Sequence, residues 1–500
     1  MNHKKYLFIA LGLFLILSQF AVFGTSREYW FDPSFSVETV HLLDQHATTM
    51  DFREIDVHPP GYYYALYGWS LLNPSLPEYV WAQQLSILFG LAFILFVFGS
   101  LTLLFGKKGA IATVFFAGLP TYIHYATEPR GYIMVMMLSA GIFYFAVNQN
   151  NKNVLLMSYA ILASVLLTFV HYLAGMAIPL LMIAAFVLSE NKGFQRIWKS
   201  LLIGVSGLAG LFLALIWAVP QYMRSEGTWF VASDISSFPS ALAYAFLVVE
   251  SAASHTPFTA MIYSAFVLVV VGVGIAGIAL LYTSTTLSKQ QKAFLIMGSS
   301  ALFPLMALIF VTFTTTGLAS NLYHHRFFLV VTWMFAATVI VYITYVVSSI
   351  KYSILKWMCV LLGVLLLIGL NYVYIDSAHY ELQNMRIETP CSSELIHIGH
   401  ESAFSYMPYQ VWAREHNCNW NNFISTRMTV GMSHTAGFDI VPRENIYWNG
   451  TIPNYGFYYV QSNERTFNLS GRQSEVIAVD DGIRLVKVEP LRSVVEISFQ

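Results

Sequence analysis

Apolar residues in this chain come in long unbroken runs rather than in the alternating or one-faced patterns of water-soluble strands and helices. A run of roughly 18 or more residues lets an α-helix cross about 30 Å of hydrocarbon, and the pattern predicts eleven such spans. The first covers residues 6 to 23 (YLFIALGLFLILSQFAVF), and the others lie near 80–104, 109–126, 131–147, 153–170, 172–188, 200–219, 261–283, 294–315, 326–348 and 354–374. The first run exceeds a signal-peptide core and no small-x-small cleavage site follows it, which predicts a retained helix. From about residue 376 the pattern changes. SELIHIG, YGFYYVQS, SEVIAV and IRLVKVE, bounded by turn residues, predict strands of a small soluble domain of α/β or α+β class. The expected architecture is an all-α polytopic membrane domain over 1–375 and a separate domain over 376–500.

Composition supports that division. Of the 500 residues, 56% are hydrophobic and only 11% charged, against about 25% charged in soluble domains, and the mean hydropathy is +0.58. A net charge of −1 leaves no basic footprint, which argues against a nucleic-acid partner. The placement of charge orients the chain, because short cytoplasmic loops hold the Lys and Arg excess. With a cytoplasmic N-terminus, Lys4, Lys5, Lys107, Lys108, Lys152, Lys192, Arg196, Lys199, Lys289, Lys292, Lys351 and Lys356 fall inside. Only Arg27, Arg53, Arg130, Arg224 and Arg326 fall outside. Acids run the other way: Glu190 is inside, whereas Asp32, Glu38, Asp44, Asp51, Glu54, Asp56 and Glu128 are outside. An odd number of spans then puts the tail outside, in a plasma or inner membrane. There Cys391 and Cys418 can form a disulfide, and Asn449 and Asn468 stand in N-x-[ST] patterns. Cys359, within the last span, reads as a packing residue.

Candidate chemistry gathers on the outer face. In the first outer loop, residues 24–79, Asp32 and Asp56 flank a stretch rich in histidine and aromatics. His58-Pro59-Pro60 forms a rigid turn ahead of an interfacial segment, Gly61 to Leu72. The next outer turn, HYATEPRGY, brings Glu128, Arg130 and Tyr132 to the end of a span. Ionisable residues at membrane depth are functional candidates, and the plain alternative is a Glu128–Arg130 pair anchoring the helix end. His171 and Tyr172 sit between two short runs, and Asn321, His324, His325 and Arg326 open a later one. A double histidine without cysteine or an i, i+4 partner is a weak metal signal. Arginines suit phosphate, so the set fits an anionic lipid headgroup presented from the bilayer.

The order of these motifs resembles the GT-C superfamily of polyprenyl-phosphate-sugar-dependent glycosyltransferases, in particular its protein O-mannosyltransferase and aminoarabinose-transferase-like branch. That pattern runs W-x-D-E-A-x-S, D-x-H-P-P-x-Y-Y, Y-S-Q-E-A-R-x-Y, T-H-Y and a late R-Y. Here it reads WFDPSFS (30–36), DVHPPGYY (56–63), YATEPRGY (125–132), VHY (170–172) and HRF (325–327). The resemblance implies a GT-C-like membrane fold and an inverting transfer from a polyprenyl-phosphate sugar to a lipid, glycan or protein acceptor. It further implies that Asp32 is the general base and Glu128 the second acid, orienting the acceptor or helping to hold a cation. Arg130 and Arg326 would neutralise the leaving phosphate, His58, Tyr62, Tyr132 and His171 would shape the substrate pocket, and Asp56 would support the turn. Pro33 replaces the Glu that usually follows the loop-one Asp, so any role of that residue is either missing, as in a catalytically weakened homologue, or supplied by Glu38. Need for a divalent cation stays open, since the family includes metal-independent members. Two other classes stay open as well: a polyprenyl-lipid flippase or transporter, and a non-catalytic membrane anchor for the outer domain.

Overall fold

The computed structural model describes residues 3–25, 35–37, 39–40, 43, 58–148, 153–188, 194–224, 246, 272, 277, 284–300 and 329–383, with seven strand segments between 396 and 496. The chain divides into two compact units. One comprises Met1–Gly24, His58–Tyr62 and Gln83–Ser377, the other Thr25–Val57, Tyr63–Ala82 and Ala378–Gln500. Helices run in the order α1 (Lys4–Thr25), α2 (Gly61–Leu72), α3 (Glu78–Phe105), α4 (Lys107–Ala117), α5 (Pro120–Thr127), α6 (Gly131–Val147) and α7 (Val154–Val170). A 3-10 turn (Tyr172–Met176) then leads into α8 (Ala177–Leu188), followed by α9 (Phe194–Arg224), α10 (Lys289–Ser300), α11 (Leu329–Ser349) and α12 (Ser353–Gln383).

Among the described residues, five helices are long and apolar enough to cross a membrane: α1, α3, α9, α11 and α12. A sixth results if α5 and α6 form one bent span. These five lie on the runs expected at 6–23, 80–104, 200–219, 326–348 and 354–374. The runs at 153–170 and 172–188 form α7 and, past the 3-10 turn, α8. The runs at 261–283, apart from 272 and 277, and at 294–315 beyond Ser300 lie outside the described residues, so the count of eleven stays an expectation.

The run at 109–126, expected as one helix, is two. Gly118 caps α4, and Pro120, which has no N–H to give, opens α5 at its first position. The Gly118 carbonyl freed by the break accepts from Asn371 Nδ2 of α12 at 2.8 Å, so the break carries its own buried partner. The turn from α3 into α4 uses Gly106 at φ +56°, a left-handed position that favours glycine. At the centre of the helical unit, Trp333 of α11 is fully buried and donates to Ser139 Oγ at 2.9 Å. Phe93 and Phe143 meet its ring edge-on, and Phe116 stacks on Tyr122 at 4.4 Å across the α4–α5 break.

One end of the unit is tied by long polar side chains that cap helix C-termini. Gln290 Nε2 donates to the Leu188 carbonyl and Gln291 Nε2 to the Leu104 carbonyl, each at 2.8 Å. Lys199 Nζ reaches the Phe145 carbonyl at 3.2 Å and also the Asn148 carbonyl, a cation placed where the α6 dipole is negative. α6 therefore runs away from this capped end toward its N-terminus at Gly131.

In the second unit, strands β1 (Ile396–Gly399), β2 (Asn422–Ser425), β4 (Phe457–Ser462), β5 (Ser474–Asp480) and β6 (Ile483–Val488) form one sheet in the order β2-β1-β4-β6-β5. β1 is parallel to β2 and β4, and β6 is antiparallel to β4 and β5. β3 (Thr451–Ile452) and β7 (Val495–Glu496) make a separate antiparallel pair. β1, β4, β5 and β6 coincide with the four expected strand segments. The choice between α/β and α+β, the Cys391–Cys418 bond, and Asn449 and Asn468 all fall on residues outside the described set. Cys359 is a half-buried free thiol in α12.

Candidate active site

Three chain segments converge in the helical unit, away from the capped end: His58 to Tyr62 leading into α2, Glu128 to Tyr132 between α5 and α6, and Val170-His171 at the end of α7. Local sequence explains each. Pro59 and Pro60 precede α2, whose first residue Gly61 packs so closely on α7 that a Cβ there would lie 2.6 Å from the Phe169 carbonyl oxygen. Glu128 precedes Pro129, which forces it out of helical space. Glu128 and Arg130 are both extended (ψ 120° and 157°), and the axes of α5 and α6 diverge by 118°. At Gly131 a Cβ would approach Val170 Cγ1 at 3.1 Å and Tyr62 Cβ at 3.3 Å, so all three segments meet at this corner.

Both ionisable groups of the break are buried, Glu128 with 4% of its surface exposed and Arg130 with 8%. The Glu128 carboxylate lies 3.1 Å from His124 Nε2, one turn back on α5. The carboxylate thus pairs with His124 rather than Arg130, and the link between Glu128 and Arg130 is a backbone one, Arg130 N to the Glu128 carbonyl at 2.7 Å. The plain alternative of a Glu128–Arg130 anchoring pair is not what forms. Arg130 is the N-cap residue of α6, a helix end whose dipole favours anions.

Tyr62 completes the corner. Its hydroxyl shares a 3.2 Å hydrogen bond with Ser86 Oγ of α3. Burial drives the phenol far above its ordinary pKa, against smaller opposing pulls from the Ser86 bond and the Arg130 charge. Tyr62 is accordingly a neutral hydrogen-bonding group at any physiological pH. From His58 an arc of rings reaches Glu128: His58 to His171 at 5.6 Å, His171 to Tyr132 at 5.6 Å, Tyr132 to Tyr125 at 5.2 Å and Tyr125 to His124 at 4.6 Å.

Of the residues singled out from sequence, the structure gathers His58, Tyr62, Glu128, Arg130, Tyr132 and His171. Asp32, Asp56 and Arg326 lie outside the described residues, as do Asn321, His324 and His325. His124 and Ser86 were missed. The i, i+4 spacing of His124 and Glu128 was legible within HYATE, whereas Ser86 is one of three hydroxyl residues in the apolar run 80–104, with nothing in the sequence to set it apart. Among the described residues no three of His, Cys, Asp and Glu group as metal ligands. The corner can hold an anion through Arg130 and the α6 N-terminus, and it offers a carboxylate–imidazole pair for orienting a hydroxyl.

Gly61→Ala tests the packing. The added methyl meets backbone rather than a movable side chain, so overpacking of about 1–3 kcal/mol is expected. Its readout is a lower melting temperature of the detergent-solubilised protein than that of Gly68→Ala, where no atom lies within 4 Å of the new Cβ.

No protein-family model matches the sequence, and no curated protein aligns with it significantly. Solved structures match by fold. ArnT from Cupriavidus metallidurans, bound to undecaprenyl phosphate, superposes with a TM-score of 0.54 and 11% identity over 95% of this chain and 98% of its own. The same protein in the apo state gives 0.53 and 10% over the same shares. An oligosaccharyltransferase from Archaeoglobus fulgidus reaches 0.48 with 11% identity over 91% of this chain and 70% of its own, too loose a likeness to carry weight. The chain shares the fold of ArnT, and at such low identity the likeness is one of fold alone.

Proposed function

We propose that this chain is an inverting glycosyltransferase that moves a sugar from a polyprenyl-phosphate donor to a lipid, glycan or protein acceptor. It would work at the outer face of the plasma or inner membrane, with the N-terminus cytoplasmic, a catalytic domain over 1–375 and an outer domain over 376–500. The reading rests on one juxtaposition: a buried carboxylate, a buried arginine, a neutral phenol and a helix N-terminus at the α5–α6 break. It is supported by a fold shared with a protein whose structure holds undecaprenyl phosphate.

In the proposed reaction an acceptor hydroxyl attacks C1 of the sugar while the bond from C1 to the phosphate oxygen breaks. Direct displacement inverts that carbon, and the bonding pair leaves with the polyprenyl phosphate. Asp32 takes the acceptor proton as general base. Glu128, steadied by His124, orients the acceptor, and Arg130 with Arg326 meets the phosphate charge as it grows. Tyr62, His58, Tyr132 and His171 line the donor, and Asp56 supports the turn into α2. A divalent cation, where one is used, would be held by the carboxylates and would supply further charge neutralisation at the phosphate.

One observation favours a transporter, because a helix broken at charged residues is a feature of transporter binding sites. Labelled polyprenyl-phosphate sugars supplied to the full-length protein in vesicles separate the two. Transfer is expected to move the label from lipid to acceptor. Passage of intact lipid across the bilayer with no transfer would overturn the glycosyltransferase reading.

A further inference from the structure

A groove of about 550 Å³ lies in the helical unit among α1, α4, α11 and α12, within the size range of ligand sites. Its walls are mainly aliphatic and aromatic, but one end carries Lys107 and Lys108 at the start of α4 and Lys356 in the first turn of α12. No carboxylate among the described residues pairs with these ammoniums. Lys108 Nζ sits 3.7 Å above the Tyr345 ring, and its pKa is lowered, chiefly by burial and then by the Lys356 charge. Two like charges held together over an apolar floor are an arrangement an anion would relieve.

Dimensions narrow the class of anion. The floor extends along α12 from Lys356 to Leu370, about 21 Å at 1.5 Å per residue. One leaflet with its headgroup zone is about 20–22 Å thick. The lysine end lies near the α3 C-terminus, roughly 30 Å along that helix from the Ser86 that bonds Tyr62, so the basic cluster is remote from the α5–α6 corner, toward which the far end of the groove at Leu119 and Leu370 extends. Basic pockets between helices on the cytoplasmic side bind anionic headgroups, and the proposed orientation puts these lysines on that side.

We propose that this groove binds one anionic phospholipid of the cytoplasmic leaflet, its phosphate held by Lys107, Lys108 and Lys356 and an acyl chain lying along α12 toward Leu370. Native mass spectrometry of the full-length protein, equilibrated with phosphatidylglycerol or with phosphatidylcholine, tests it. One phosphatidylglycerol should be retained in preference to phosphatidylcholine. The triple variant Lys107→Gln, Lys108→Gln, Lys356→Gln should lower that preference about a hundredfold, roughly fivefold per lysine. Gly363→Leu, at a position with only Phe115 Cε1 within 4 Å, should fill the groove and reduce retention with the lysines intact. Equal retention of the two lipids, an unchanged preference in the triple variant, or stronger lysine-dependent retention of undecaprenyl phosphate than of phosphatidylglycerol would each overturn the proposal.

Discussion

Glu128→Gln is expected to slow sugar transfer by about 10²–10⁴-fold, the usual reach of a positioned acid or base. Glutamine keeps the size and one carbonyl oxygen of the side chain, so the contact with His124 at 3.1 Å persists in shape while its charge is lost. Packing at the corner is set by Gly61, Gly131, Tyr62 and Val170, none of which is touched. Melting in detergent should therefore stay close to that of the parent while the initial rate from a labelled polyprenyl-phosphate sugar collapses. A rate within a factor of two of the parent would remove Glu128 from the mechanism. A large drop in melting temperature with a proportionate loss of rate would reassign it to structure. His124→Ala should give a smaller loss, since the imidazole acts only through the carboxylate.

Arg130→Ala is expected to cost about 10²–10³-fold, mainly in kcat, because the phosphate charge it meets is largest in the transition state. Lysine at the same position keeps the charge but loses the planar fork that grips two phosphate oxygens, so Arg130→Lys should fall between parent and alanine. A purely structural role predicts a different order. In that case both variants would destabilise the protein and kcat per folded molecule would be unchanged. Within the break itself the Glu128 carboxylate is engaged with His124 at 3.1 Å, and its link to Arg130 runs through the backbone.

Much of this site was legible as a list of residues. His58-Pro59-Pro60, Glu128-Pro129-Arg130 and His171 stand out because charged, imidazole and proline residues are rare in so apolar a chain, and the prolines fix local backbone that sequence alone can read. What could not be read is which of them meet. The 118° divergence of α5 and α6 turns Glu128 and Arg130 into a buried corner rather than a surface loop. The run that leads into it reads as one uninterrupted span until the Asn371 side chain from α12 is seen capping the break at Gly118. Ser86 enters the site only because α3 passes behind Tyr62.

The same limit governs the fold. Sequence alone determined that the chain belongs in a bilayer, where the five long apolar helices lie, and four of the seven tail strands, since hydropathy and turn chemistry are properties of short stretches. It did not determine which helix is central. Leu329–Ser349 and Ser353–Ile375 have nearly equal hydropathy, 2.0 and 2.3, yet 78% of the first window is buried within the protein and only 6% of the second. Hydrocarbon and a helix-packed interior are almost equally apolar, so neither leaves an amphipathic mark on the residues that face it. Tertiary structure made that choice through particular contacts, such as the indole of Trp333 seated on Ser139 with Phe93 and Phe143 against its edges.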